Sequence, residues 1–531
     1  MFNYVKSLYD LIKWYFRTSK LRVRSKRNST KTVIFSELNS SLVSVKVNTI
    51  YAKCLEYYGY RVLVIFKHKQ LFYEQYYKCL GVNEFIYLDN NKTLAKNKII
   101  DSIVKKTRNS DDFLKLEIEG INIGKWLASR IVREQKVGEL NIENFDKVKL
   151  TEYIRESINA ISTIKTILKN NNNCSIIFNE RGYSPSGEVF EHCLKNKINT
   201  VQWFGSPLDM HHSYKRYIEK NKNFHPLSLS QDSFEDLMNH KNVDMMGNNI
   251  IEHLRLQYET KKWFNRQNLE KNKKIYSKKE IISKLKLNPK KKIGVIFSHI
   301  MYDATFFYGV SIFKNYREWL TETLKYAQKN KKVNWILKIH PANKWRNDLE
   351  SKNEKSLEEV LVNDLFKKLP KNIFILGADT DVSTYSLFKF VDFGLTVRGT
   401  VGCELACFGI PVFTAGTGRY SHQGFTIDSN NKKDYERKIR HIHNYTKLTK
   451  KKITRARIYS YGSLIARSIP MDGIKIKYNL KNFMDVYHTD IFIKNISVKE
   501  LVKRKDLGLF LNWFDNENLS KTDKDLMYLK K

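Results

Sequence analysis

The chain has 531 residues, of which 42% are hydrophobic and 13% aromatic, and its formal charge is +39. This composition excludes a disordered chain and provides for several full cores. The charge favours anionic partners such as nucleotide-sugars, acidic glycans or an anionic membrane, although Lys and Asn are spread along the whole chain as a general compositional bias would spread them.

In chain order, Val5, Leu8, Tyr9, Ile12 and Phe16 fall on one side of an N-terminal helix. The basic run Lys20, Arg22, Arg24, Lys26 and Arg27 follows. This pattern fits a helix lying on an anionic membrane surface, or one that packs on the protein's own body. Lys6, Asp10 and Lys13 interrupt the apolar run, which argues against a signal peptide. No stretch reaches the ~18 apolar residues of a membrane span. Cys54, Cys79, Cys174, Cys193, Cys403 and Cys407 include no CxxC pair, which fits a reducing cytosol and gives no zinc motif. The expected location is cytoplasmic, with residues 1–27 offering a peripheral contact to the inner membrane face.

Runs at 32–36, 61–66 and 84–88 read as strands alternating with helices, a βαβαβ rhythm. Residues 92–172 read as mostly helical. A further strand at 175–179 ends in the loop Glu180–Gly187, and ligands bind beyond strand carboxyl ends in such sheets. Glu180 is a candidate general base there, or a surface ion pair with Arg181. Residues 205–290 read as largely helical, with a boundary near 285–290.

A second α/β unit begins at Lys292. Its first strand leads into a loop containing Asp303, a second catalytic candidate or a loop cap. The strand 334–339 ends at His340-Pro341, where an imidazole can face a phosphate or leaving group, with Lys338 two residues earlier on the same face. Asp379-Thr380-Asp381 formally matches a DxD metal motif, but the helical run behind it favours a helix start capped by Asp381 or Ser383. No metal site is expected.

Residues 392–428 read as strand, glycine turn (Arg398, Gly399, Thr400, Gly402), helix, second strand and a loop with Gly418 and Tyr420. Glycines let the backbone approach a ligand, and a helix start offers N–H groups to an anion. Glu404 lies in the first helical turn, where a carboxylate is favourable and can accept a sugar hydroxyl. Residues 471–531 read as irregular, with Phe510, Trp513 and Phe514 docking on the body.

Three stretches of the second half resemble bacterial capsule polysaccharide biosynthesis proteins, the group that includes the capsular Kdo transferases. They are GVIFSHIMYDATFF with Glu318-Trp319-Leu320, the run Lys338 to Pro341, and TVGCELA with GIPV, GRY and GFTID. The resemblance covers residues 290–430, with a weaker echo in ERGYSPSGEVFEHCLKNKINTVQW. It implies an α/β, GT-B-like fold of two Rossmann-like doubly wound domains facing a cleft, to which the residue patterns add an N-terminal amphipathic helix and a C-terminal extension. The expected ranges are 1–28, 29–288, 289–470 and 471–531. It further implies that His340 and Lys338 meet a donor phosphate, that Thr400 and the Gly399–Gly402 turn contact phosphate or ribose, and that Glu404 contacts ribose or base. The acidic motif of the Kdo-transferring members is not obvious in the first half, which leaves the transferred sugar open.

The expected activity is therefore a metal-independent glycosyltransferase without a resident cofactor. It would take a nucleotide-sugar co-substrate and a glycan or glycolipid acceptor of capsule or surface-polysaccharide assembly. A teichoic-acid type polyol-phosphate transferase is the alternative within the same fold. A non-catalytic glycan- or nucleic-acid-binding protein is the alternative outside it, but the chain lacks an aromatic-plus-basic single-strand motif, so no specific nucleic acid is expected.

Overall fold

The computed structural model describes residues 2–22, 30–88, 94–107, 109–208, 210–261, 272–342, 355–477 and 490–529. Arg24, Lys26 and Arg27 of the basic run lie outside the described residues.

The first unit is built on β1 (Lys31–Ser36), β2 (Tyr60–Phe66), β3 (Phe85–Tyr87), β6 (Cys174–Phe178), β7 (Asn199–Gly205) and β8 (His211–Tyr217), with a small hairpin, β4 (Glu117–Ile118) and β5 (Ile121–Asn122), outside the sheet. A late strand, β15 (Ile469–Pro470), completes the order β15-β8-β7-β6-β1-β2-β3. The inner strands pair in parallel, whereas β8 and β15 run antiparallel at one edge. β1 and β6 are almost wholly buried, as strands covered by helices on both faces must be.

The second sheet is parallel throughout. Its strands are β9 (Lys292–Phe297), β10 (Val333–Lys338), β11 (Ile373–Leu376), β12 (Phe393–Thr396), β13 (Val412–Thr414) and β14 (Ile427–Asp428), in the order β11-β10-β9-β12-β13-β14. In each sheet the chain order reverses beside the first strand, between β1 and β6 and between β9 and β12. Crevices open at such points because the connections leave to opposite faces.

Core membership departs from the expected boundary near 288. The helices Gln231–Met238 and Val243–Thr260 bury Phe234, Leu237, Met246, Ile250 and Leu254 with Val295, Leu405 and Tyr459 of the second unit. The apolar faces of these helices fit the helix Lys450–Tyr461, so the chain changes units before residue 229. Residues 211–217, within the stretch expected to be largely helical, form β8.

The described residues from 474 to 520, expected to be irregular, carry regular elements that pack on the first unit, whereas 521–529 form no helix or strand. The regular elements include β16 (Ile474–Lys477) paired antiparallel with β17 (Asp490–Ile493), then the helix Lys505–Asp515. Phe510 stacks on Tyr214 at 4.6 Å, and the Arg216 guanidinium lies 4.0 Å from the Trp513 ring while donating to the Trp513 carbonyl. Phe514 is buried in the same core.

Candidate functional site

The two units meet around a cleft of about 600 Å³ at the carboxyl ends of both parallel sheets. On the second unit, the switch point places His299 after β9 beside Thr396 and Arg398 after β12. The His299 ring stacks on Tyr316 at 4.6 Å, and its Nε2 accepts from the Val397 N–H at 3.2 Å. The neutral ring therefore carries its proton on Nδ1. Burial first, then Arg398, His340 and Arg419, pushes the His299 pKa well below the ordinary histidine value. Thr396 Oγ1 lies 3.1 Å from the same nitrogen and accepts from the Gly399 N–H at 3.1 Å. His299 thus braces the turn that carries Arg398 and Gly399.

His340 follows β10 and lines the cleft with Lys338. Its backbone N–H donates to Ser298 Oγ at 3.0 Å, and its Nδ1 accepts from the Ala342 N–H at 3.2 Å. That acceptance leaves Nε2 as the protonated nitrogen of the neutral ring. Ser298 is itself held by Glu358, to which it donates at 2.9 Å. Lys338 is only 4% exposed.

The stretch from Asp392 to Asp428 divides into wall and support. Arg398, Gly399 and Thr400 line the cleft. Gly402, Glu404, Gly418 and Tyr420 stand behind that wall, contrary to the expectation that they touch a ligand. A Cβ at Gly402 would lie 2.0 Å from the Tyr420 hydroxyl, so this glycine makes room for Tyr420, whose hydroxyl donates to the Gly399 carbonyl at 2.6 Å. Gly418 has φ +94°, and a Cβ there would meet Gly309 at 2.7 Å, where two loops cross. Glu404 is fully buried and accepts from the Tyr258 hydroxyl at 2.6 Å; Tyr258 is the residue that reaches the cleft. The helix here is Val401–Cys407, and its Gly402, Cys403 and Glu404 N–H groups already donate to Gly399 and Thr400 carbonyls. Asp381 lies away from the cleft, accepting from Tyr276 and pairing with Lys284 at 3.0 Å, while Ser383 caps the following helix.

From the first unit, β6 delivers Asn179, Glu180 and the loop behind them. Asn39, at the end of β1, donates to the Gly182 and Tyr183 carbonyls at 3.2 Å and holds this loop over the first switch point. Tyr183 adopts φ +61°, a left-handed conformation that bulky residues rarely take. Gly182 admits Phe307 of the second unit, whose ring a Cβ would meet at 2.2 Å. Glu180 is half-buried, and its Oε1 accepts from the Gly182 N–H at 2.8 Å. Desolvation raises its pKa, opposed by that N–H and by Arg133 and Arg181.

Arg181 makes no surface ion pair with Glu180. It is fully buried against the Phe190, Tyr217 and Tyr308 rings and donates to the Phe224 carbonyl. Asp303 is clasped across the cleft by Arg133 and by the Tyr183 hydroxyl, which donates to it at 2.9 Å. In that arrangement Asp303 links the two units.

Cations dominate the floor. Arg398 donates to the Tyr308 carbonyl and Ser311, and Arg419 donates to the Arg398 carbonyl at 3.2 Å. Arg419 Nη2 also sits 2.7 Å from the His225 ring, which burial and then Arg419, Arg181 and Arg398 hold well below the ordinary histidine pKa. Among the described residues, the Nε atoms of Arg181, Arg398 and Arg419 have no hydrogen-bond partner. Buried cations with donors unsatisfied make a strong local field for an anion. None of Arg133, His225, His299, Arg419 and Tyr183 was expected as a site residue, although His299, Arg419 and Tyr183 lie within the stretches that carry the resemblance. The His299 position at a strand end, two residues past β9, was a further usable sign.

Behind the loop, Glu188 is fully buried, accepts from Ser157 at 2.5 Å, and has its pKa raised by desolvation to about 7. The folded state therefore holds a proton that the unfolded chain releases near pH ~4.3. This contribution to stability is full below that value and is lost as pH rises through about 7. Glu188→Gln is expected to raise Tm at pH 8 and to remove up to about 3 kcal/mol of the decline between acid and alkaline pH, read by thermal unfolding across pH.

Two doubly wound α/β units, each presenting strand carboxyl ends to a shared cleft, define a GT-B-like architecture. No family model matches the chain, and no curated protein matches its sequence. Similar solved structures include the beta Kdo 2,4 transferase KpsC of Thermosulfurimonas dismutans, at 11% identity and TM-score 0.34 over 62% of this chain and 91% of that one. A glycosyltransferase from Rickettsia africae is similar at 11% identity and TM-score 0.30, over 90% and 100% of the two chains. Anabaena Alr3699/HepE, solved with UDP and glucose, is similar at 9% identity and TM-score 0.25, over 81% and 94%. Likenesses this distant carry no functional weight beside the residues of the cleft.

Proposed function

We propose that the protein is a glycosyltransferase that moves a sugar from a nucleotide-sugar to a growing capsular or surface polysaccharide. The observation that carries this reading is the polarity of the cleft. Lys338, His340, Arg398 and Arg419 gather on one side, and Glu180, with a raised pKa, stands on the other.

Glycosyl transfer needs both. The acceptor oxygen bonds to the sugar C1 as the C1–O bond to the donor phosphate breaks. The electron pair leaves on the phosphate oxygen, and the acceptor proton passes to a base. The cationic side chains and the His340 Nε2–H meet the charge growing on phosphate, while Glu180 takes the proton. In this reading side-chain cations, not a metal ion, serve the leaving group.

The test is a thermal-shift panel of CMP-, UDP-, GDP- and CDP-linked sugars with a CDP-polyol. The matching donor at ~100 times its Kd adds about 2.7 kcal/mol, or roughly 2–3 °C for a chain this long. Protection by the CDP-polyol alone would instead establish polyol-phosphate transfer. No shift with any donor would overturn both.

A further inference from the structure

The N-terminal helix Phe2–Arg17 is fixed to the body by one face and leaves the other uncovered. Trp14, 2% exposed, packs edge-on to Tyr76, and Asp10 accepts from Lys46 at 2.7 Å and from the Tyr76 hydroxyl. Thr18 and Leu21 are buried on the same side. With that face engaged, the apolar stripe points outward: Val5, Leu8, Tyr9, Ile12 and Phe16 are between 44% and 69% exposed. At 1.5 Å per residue the stripe is ~17 Å long. It continues onto β17, where Phe492 is 42% exposed and Arg17 lies 5.0 Å over its ring.

We propose that this face docks on an anionic lipid bilayer, the helix lying in the interface plane. Charge selects the occupant. Lys6 and Lys13, one heptad apart, stand with Arg17 along the border between the buried and apolar faces, and Lys20 and Arg22 follow at the end. Asp10 is the sole acid of residues 2–22, and it is turned inward onto Lys46. The outward surface is therefore apolar with a border rich in cations, although Lys20 lies near the exposed Glu500, and this is the pattern that interfacial helices use against anionic headgroups. A second copy would bring the same cations against this border, so self-association is disfavoured by repulsion. Among the described residues no helix is long and apolar enough to cross a membrane, so the contact is one of lying on the bilayer. It does not depend on the transfer reaction, but it would hold the cleft near a lipid-linked or membrane-anchored acceptor.

The experiment is co-sedimentation of the full chain with phosphatidylcholine vesicles, with and without phosphatidylglycerol. Binding is expected only to the anionic vesicles and should weaken with salt. Lys6→Gln with Lys13→Gln should reduce it by about 25-fold, at about five-fold per cation. Leu8→Ser, Ile12→Ser and Phe16→Ser together should abolish it, with only a small loss of Tm because these side chains are 44–69% exposed. Absent sedimentation of the wild type, equal binding to neutral vesicles, or full binding by the triple-serine variant would each overturn the proposal. So would a wild-type dimer in solution that the same three substitutions convert to monomer.

Discussion

His340→Ala is expected to lower turnover by about 100-fold, corresponding to ~3 kcal/mol of transition-state stabilisation. The reason is local. The ring is held by its own strand end: Ser298 receives the His340 N–H, and Nδ1 accepts from Ala342. The proton is therefore on Nε2, which in the proposed reaction would meet a phosphate oxygen whose charge grows as the sugar leaves. Lys338, two residues earlier, reaches the same cleft. Because the contact strengthens in the transition state, kcat should fall much more than KM rises. Release of nucleotide from the donor measures this even before the natural acceptor is in hand. Undiminished release by the alanine variant, with an unchanged Tm, would remove His340 from the reaction.

Glu180→Gln is the second large effect, a loss of about 100- to 10,000-fold if the carboxylate is the base. Glutamine retains an oxygen for the Gly182 N–H, so the loop keeps its support while the base is lost. The wild-type pH profile should carry an acid limb above the ordinary glutamate value of ~4.3. Burial raises the carboxyl, so the base form is lost at a higher pH as the solution is acidified, and activity falls with it. Removing the opposing cation with Arg133→Met should move that limb further up. A glutamine variant that keeps both the rate and the acid limb would place the base elsewhere.

The order of elements was legible because parallel strands buried on both faces carry apolar runs, as residues 33–35 of β1, 176–178 of β6 and 295–297 of β9 do. Strand ends were legible for the same reason, and they placed Glu180 and His340 beyond the carboxyl ends of their strands. β8 was not legible. Its HHSYKRY reads as a polar segment, yet all but the first residue are buried. Its polar groups find partners far along the chain: His212 on Tyr51, Lys215 on Asp525, Arg216 on carbonyls of Trp513 and Leu519.

The stretch from Asp392 to Asp428 shows the same division. Its turn and glycines were evident from residue types alone, and Arg398, Gly399 and Thr400 do line the cleft. Which glycine faces solvent and which accommodates a ring depended on neighbours that local sequence does not encode. Gly402 serves Tyr420, and Glu404 serves Tyr258.

Alone, then, the sequence determined two α/β units, their strand ends and the chemistry available there. Only the tertiary structure decided that Arg133, His225, His299 and Arg419 share one cleft, that residues 229–258 and Ile281 join the second core, and that the apolar stripe of the N-terminal helix faces outward. Secondary structure follows from short-range periodicity. A site of this kind depends on the burial of groups separated by hundreds of residues, and long-range packing sets that.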